Sequence, residues 1–378
     1  MMRGHRGTLA AIVLARLTFG MQVQTVATLG PALRHAFALD FAGFGTLVGL
    51  YMLPGVVLAI PVAFAGRRLG DRNALAGGMV LMVLGSALSA VAPGVVLFGV
   101  GRLLCGGGVV ALLVFQGKVL SERYDGRNFS LATSLQTGAF PIGIGLAPLV
   151  LGPLAASLGW RAAFAAGAVA AAIPVVLLLT TWREVGPAAE TGARLLAWPS
   201  RREVRLVFLA GLVWVFYNAG FTNYLAFMPA LMAARHLTGA AATGVVPLAT
   251  WPNLAFVLMG AALGHRFGNT PVFLVGTLCT LAAILWAVAG GPLLATALLF
   301  GTVGAIHGGL IVATGTLATQ PQNRGVGMAI FYTVYYAGGF VFPAICGHAA
   351  DLAGGPAGAF VAAAALSVLA VPAWLLIR

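Results

Sequence analysis

The hexapeptide GRRLGD at residues 66–71 returns 198 positions later as GHRFGN at residues 264–269. The same offset carries Pro31-Ala32-Leu33 onto Pro229-Ala230-Leu231 and Pro54 onto Pro252. Farther along the register drifts: Leu97-Phe98-Gly99 with Gly106-Gly107 matches Leu299-Phe300-Gly301 with Gly308-Gly309 at an offset of 202, and Arg127 with Ala132 matches Arg324 with Ala329 at 197. The chain is thus read as two copies of one unit, running in the same orientation.

Between the repeated loops the sequence is apolar. Hydrophobic residues make up 60% and charged residues 8%, a balance that excludes an ordinary soluble domain. The runs approach the ~20 residues a helix needs to cross the hydrocarbon core. They predict an all-α membrane protein with twelve spans at 8–32, 41–65, 74–92, 95–117, 129–153, 162–181, 205–233, 241–263, 270–289, 293–317, 326–350 and 357–377. A membrane barrel would alternate polar and apolar residues, and that pattern is absent. Two six-helix bundles follow, residues 1–181 and 205–378, joined by a charged, proline-containing linker at 182–204 with a short interfacial helix expected at 193–198.

Charge gives the orientation. With the N-terminus inside, the cytoplasmic segments hold sixteen Lys and Arg, whereas the opposite face holds Arg34, Arg161 and Arg235. The positive-inside rule then places both termini in the cytoplasm of a bacterial-type inner membrane. The net charge of +13 lines one membrane face, so it reads as attraction to lipid headgroups and not to nucleic acid. Cys105, Cys279 and Cys346 fall inside spans, so no disulfide framework is implied. No nucleotide loop, metal cluster or catalytic triad is found, so neither an enzyme, a cofactor nor an ATP-driven pump is expected. Two alike bundles in one orientation imply a secondary transporter that rocks about a central site.

Twelve spans in two halves, with a basic loop after the second span of each, resemble the major facilitator superfamily over essentially the whole chain. Its loop motif aligns with Ala63 at the first glycine, Arg67 at the usual aspartate, then Arg68, Gly70, Asp71 and Arg72. The family loop latches the halves on the cytoplasmic side. Here the aspartate is displaced to Asp71, and a gate of Arg67, Arg68, Asp71 and Arg72 with Glu122, Arg123 and Asp125 is the expectation beside a solvated basic loop. Arg102 with Gly106 and Gly108 resembles the family's second motif. Residues 143–152 resemble the antiporters' glycine-proline motif, with Ala147 replacing its key glycine. The segment 214–220 resembles transporters of cyanate, nitroimidazoles and similar small molecules.

The charges deep in the membrane point to the solute. All eight acids sit in loops or at span edges, whereas Arg16 and Arg102 lie about eight residues, roughly 12 Å, inside spans one and four. A deep arginine costs at least ~2.5 kcal/mol against lipid, so each is expected to face water or ligand. Two guanidiniums suit a small anion. Backbone bonding is the competing role for Arg102, and snorkelling for Arg16. Trp214, Tyr217, Asn218, Phe221 and Tyr224 are read as one helical stripe, with Trp214 at the repeat position of Arg16. Trp251, Asn253, Tyr335 and Tyr336 are candidates from the second half, and Gln24 and Gln136 from the first. His307, whose repeat counterpart is Cys105, is the proton-coupling candidate. The expected partners are a small solute, a coupling proton and the lipid bilayer, around a monomer. A broad-specificity efflux exporter is the alternative. A membrane sensor would need an appended soluble domain, which these 378 residues do not supply.

Overall fold

In the computed structural model, residues 2–182, 199–320 and 323–377 are described, without the side chains of 2–5, 59–60, 63–68, 127, 316 and 324–325. The expected linker helix at 193–198 and the side chains of Arg67 and Arg68 lie outside the described residues. The helices are α1 (Met2–Thr28), α2 (Gly30–Ala36), α3 (Phe41–Gly49), α4 (Leu53–Val91), α5 (Val95–Arg123), α6 (Gly126–Leu158), α7 (Trp160–Thr181), α8 (Arg201–Ala234), α9 (Gly239–Thr250), α10 (Asn253–Phe267), α11 (Asn269–Val288), α12 (Leu293–Gly301), α13 (Gly308–Leu317), α14 (Arg324–Leu352), α15 (Ala357–Val368) and α16 (Ala370–Leu375). A single 3₁₀ turn, Val303–Ala305, separates α12 from α13, and the described residues hold no strand. Twelve stretches among them are long and apolar enough to cross a membrane.

The repeat written in the sequence is also written in the backbone. Span two is interrupted before Pro54, between α3 and α4, and span eight is interrupted at Trp251-Pro252, between α9 and α10. Proline lacks the N–H that would continue the ladder, so both breaks have one cause. The loops quoted at the outset each turn on a glycine in the left-handed region: Gly70 at φ 74° inside α4, and Gly268 at φ 87° between α10 and α11. Only glycine takes that conformation without steric cost. Gly70 therefore ends span two and starts span three, although the two helices run on as one element.

The described chain falls into two compact units, one within Met1–Thr25 and Leu50–Ala193, the other within Val26–Gly49 and Arg194–Arg378. In the first, α4 and α5 pack so closely that a Cβ on Gly108 would meet the Gly78 carbonyl and Met82. Its core gathers Ile12, Phe19, Tyr51, Leu75, Met79, Leu112 and Phe115. Small residues allow this approach, which dispersion rewards in lipid, where no water is squeezed out. In the second, Val213, Tyr217, Phe273, Ile306, Ile311 and Trp374 form the core. Large side chains such as Val57, Val96, Leu158 and Leu258 are turned outward at 65–80% exposure, as suits a hydrocarbon environment.

The second unit contains a seam between α3 and α14. A Cβ on Gly45 would meet the Pro343 carbonyl, one on Gly49 the Phe340 carbonyl, and one on Gly347 the Phe41 carbonyl. Asp351 closes the end of this seam: its two carboxylate oxygens accept the Phe41 and Ala42 N–H groups, each at 2.8 Å. A carboxylate on a helix N-terminus answers both the unpaired donors and the helix dipole. Phe41 also lies under the Arg34 guanidinium, 3.4 Å from its centre. Burial holds Arg34 below its ordinary pKa, while Asp351 and Asp40 act in the opposite direction.

The three arginines on the arginine-poor face are all spent on main-chain carbonyls. Arg34 donates to Leu39, Arg161 to Ala92, and Arg235 to Ala287, Val288 and Gly291. The last two close the C-terminal ends of α4 and α11, where a cation is favoured.

Candidate functional site

In the first unit, Arg16 projects from α1, half-buried, with its guanidinium 5.2 Å from the centre of Phe19 and 5.1 Å from that of Phe140. Phe19 is one helical turn on, and Phe140 comes from α6; the two rings lie 4.6 Å apart. A guanidinium on aromatic faces keeps its charge while shedding water.

Arg102 has a different environment. It is 2% exposed, donates from Nη1 to the Gln22 carbonyl at 3.0 Å, and sits 4.4 Å over Tyr51. The Tyr51 hydroxyl donates to Gln22 Oε1 at 3.3 Å, and Gln22 Nε2 donates to the Met82 carbonyl at 3.2 Å. Arg102 thus fastens α1, α4 and α5 together. Of its two expected roles, Arg102 here makes the backbone bond and not an open fork to a solute: a main-chain oxygen meets Nη1 and a ring lies beneath, while Nε has no hydrogen-bond partner among the described residues. Gln24 is buried on α1. Gln136 is buried on α6, its Nε2 bonded to Thr137 Oγ1 at 3.0 Å and its Oε1 without a hydrogen-bond partner among the described residues.

In the second unit, Trp214 is the hub of an aromatic wall. Its ring lies 5.4 Å from Tyr217, 6.2 Å from Phe331 and 6.1 Å from Tyr335. Tyr217 hydrogen-bonds Asn253 and meets His307 edge-on at 4.7 Å. His307 is 2% exposed, lies 5.5 Å from Phe273, and has no hydrogen-bond partner on Nδ1 among the described residues. The structure therefore brings Trp214, Tyr217, Asn253, His307 and Tyr335 together. Tyr336 lies 5.4 Å from Tyr335 and is buried.

Three expectations change here. Asn218 does not share the wall: its Nδ2 donates to the Trp214 carbonyl at 2.8 Å, and its side chain lies toward α14 with Val215, Ala219 and Thr222. Tyr224 is sealed, 0% exposed, stacked 4.1 Å from Phe300 and in hydrogen-bond contact with Thr296. Trp251, at 44% exposure, is not part of the buried core.

At the arginine-rich ends, Asp71 is paired with Lys118, both carboxylate oxygens accepting at 2.8 Å, and Lys118 lies 3.7 Å from Glu122. Arg72 donates to the Leu179 carbonyl at 3.1 Å, and Arg123 stacks 4.1 Å over Trp182. The expected pairing of Asp71 and Arg72 with Glu122, Arg123 and Asp125 is corrected accordingly. Lys118, outside the expected gate, is the missing partner. The second unit has its own tie: Glu203 accepts from the Ser200 and Gln320 backbone N–H groups and from Asn323. Ser200 and Glu203 form a capping box, a spacing readable in the sequence.

Residues 12–249 match the family model of the Major Facilitator Superfamily. The chain belongs to that superfamily. It is accordingly an integral membrane protein and a secondary transporter, not an enzyme. It is 29% identical over 170 residues to the inner membrane transport protein YajR of Escherichia coli K12, a match covering 45% of this chain and 36% of that protein. Among solved structures, a bacterial homologue of the human lysosomal transporter Spinster superposes with a TM-score of 0.82 at 14% identity, covering 100% of this chain and 97% of the other. The xylose transporter XylE of E. coli gives 0.78 at 16% identity, covering 97% and 95%. The nucleoside transporter NupG gives 0.78 at 14%, covering 98% and 99%. At such identities these structures establish the fold. Within that fold, Gln22, Tyr51 and Lys118 are polar residues to which the sequence alone assigns no site role. Gln22 and Tyr51 carried a signal, because polar groups inside spans must find partners.

Proposed function

We propose that this superfamily member moves a small anionic or polar solute by alternating access. The two moving bodies are the bundles 1–181 and 205–378, linked through 182–204, in an inner membrane with both termini cytoplasmic. The protein works as a monomer in the bilayer. One observation carries the choice of solute. Arg16 is a half-buried cation deep in α1, while the described acids, Asp40, Asp71, Glu122, Asp125, Glu203 and Asp351, stand in loops, beside the Gly70 turn or near helix ends. A solute with a carboxylate supplies the complementary charge in a medium where it is worth most. Within the second bundle, the Trp214, Tyr217 and Tyr335 wall, with Asn253 and Tyr336 beside it, is a separate candidate surface for an apolar solute body. Arg102 is a fastener in this reading, and Gln24 and Gln136 are subsidiary polar contacts. His307 is the candidate for carrying a coupling proton, because it is the titratable group behind that wall. Neighbours named for xylose and nucleosides agree with a small polar cargo. The likeness of residues 214–220 to cyanate-type transporters directs the first ligands toward compact acids.

The test is ligand-induced thermal stabilisation of the purified protein by a panel of small carboxylates, followed by counterflow in proteoliposomes. Arg16→Ala should abolish stabilisation by acids and leave the ligand-free unfolding temperature within a few degrees. If the variant keeps its response to acids, the anion reading fails. Equal export of lipophilic cations by wild type and variant would favour the efflux alternative, for which the aromatic wall is suited.

A further inference from the structure

The void between α8 and α14, lined by Asn218, Thr222, Asn223, Gly338, Gly339 and Pro343 among others, has a volume of about 10 Å³. That is room for one water-sized occupant. Asn223 is 1% exposed, and its Nδ2 donates to the Ala219 carbonyl at 2.8 Å. A carbonyl only accepts, so the amide orientation is fixed and the remaining atom is Oδ1. That oxygen is buried without a hydrogen-bond partner among the described residues. Asn218 likewise gives its Nδ2 to the Trp214 carbonyl at 2.8 Å, so its remaining polar atom is also an oxygen. From the other wall, Pro343 lies inside α14 and has no N–H to give the Gly339 carbonyl. A Cβ on Gly338 would meet Val215, so the two helices approach closely here because the residue is glycine.

Acceptor-bearing residues from two spans therefore line one small space: Asn223 Oδ1 has no donor among the described residues, and the Gly339 carbonyl loses its helical donor to Pro343. A buried acceptor left alone in a membrane interior is costly. A water molecule donates two hydrogens, fewer than the oxygens gathered here. A bare hard cation takes all of them, and neutral amide and carbonyl oxygens without a carboxylate suit a single charge. We propose that this void is a binding site for a monovalent cation of sodium size, held by Asn223 Oδ1, the Asn218 amide oxygen and the Gly339 carbonyl. The site lies wholly in the second unit and is independent of the solute reading and of His307.

The experiment is the unfolding temperature of the purified full chain in sodium chloride against choline chloride at equal ionic strength, with no solute added. Sodium should give a saturable rise of a few degrees that potassium gives weakly. Asn223→Leu should lose the sodium response while unfolding in choline at or above the wild-type temperature, because it removes an unsatisfied oxygen. Asn223→Asp should keep the response with half-saturation at a severalfold lower sodium concentration. Identical unfolding of the wild type in sodium and choline overturns the proposal. So does an Asn223→Leu protein that still responds, which is the outcome for sodium acting elsewhere on the protein, or an Asn223→Asp protein with unchanged half-saturation. A failure here leaves any acid-induced stabilisation untouched, so the two readings fall separately.

Discussion

Spans four and ten occupy the same place in the repeat and have been built in opposite ways. Span four is one unbroken helix, α5, whereas span ten is α12, a 3₁₀ turn and α13. At the 202-residue offset, Arg102 corresponds to Gly304 and Cys105 to His307. Span three faces span four as span nine faces span ten, and there Met82 corresponds to Thr280 at 198. In the first unit the Met82 carbonyl accepts from Gln22 and Cys105. In the second, the Thr280 hydroxyl donates to the Gly304 carbonyl at 2.8 Å, one of the groups released where the helix breaks at Thr302 (φ −104°, ψ −100°). The first bundle thus spends a buried charge on holding a strut straight. The second tolerates a break and places a ring, His307, beside it. Discontinuous helices are where transporters keep their adjustable parts.

The largest expected contrast is between matched glycines. A Cβ on Gly106 would meet the Tyr51 carbonyl and Pro54, which are fixed by backbone, whereas one on Gly308 would find the Tyr217 hydroxyl at 3.2 Å, the end of a side chain. Gly106→Ala should cost about 3 kcal/mol or more, enough to deplete folded protein. Gly308→Ala should stay within about 1 kcal/mol of wild type, since better helix propensity offsets a small shift of Tyr217. Unfolding midpoints of the two variants measure this. Equal losses would mean that span four is no stiffer than span ten.

The next contrast separates a fastener from a ligand. Removing Arg102 loses a charge-assisted hydrogen bond worth about 1.5–3 kcal/mol and a desolvated ring contact worth about 2 kcal/mol. It also relieves the burial of a cation, at least about 2.5 kcal/mol. The gain offsets much of the loss, so Arg102→Met, which keeps the volume, should lose no more than about 2.5 kcal/mol and should keep transport. Arg102→Ala should lose about 2–4 kcal/mol through the cavity it leaves. A stable Arg102→Met protein that no longer responds to acids would return Arg102 to the solute.

His307 sharpens the comparison from the other side. His307→Gln removes ring contacts with Tyr217 and Phe273, each worth about 0.5–1.5 kcal/mol, and removes the titratable group. If His307 carries the proton, counterflow should persist while accumulation against a gradient falls at least about tenfold. Accumulation at the wild-type level would free the coupling step from this ring.

How much of this could be read from the sequence depended on whether the partner was periodic. Spans, the proline breaks at Pro54 and Pro252, and the turns at Gly70 and Gly268 follow from local chemistry, and the repeat supplied each of them twice. Backbone bonding is one of the two roles that the sequence allows Arg102, but its partner does not follow, because a main-chain carbonyl on α1 leaves no mark in the pattern of side chains. Asn218 was grouped with Tyr217 by helical spacing. Adjacent residues on a helix diverge by about 100°, and the structure gives Asn218 to α14 and Tyr217 to His307. The partner of Asp71 was sought among loop charges, but it comes from the last turns of α5, 47 residues away.

That pair yields the smallest effect and a direct check on the loop. Lys118 is 55% exposed and Asp71 18%, so their bridge is worth about 0.2–1 kcal/mol at most. Lys118→Ala should hardly move the unfolding midpoint. If the pair also steadies one conformation of the transport cycle, Lys118→Asp should slow counterflow, and the exchanged double variant Asp71→Lys with Lys118→Asp should restore it. Glu122, 3.7 Å from Lys118, would lie beside the new carboxylate at 118 in both, so rescue should be partial. Full activity in Lys118→Asp alone would reduce this loop to the solvated basic segment that sets topology. The second unit's counterpart, Glu203 on Gln320 and Asn323, would then be the tie left to act at this face.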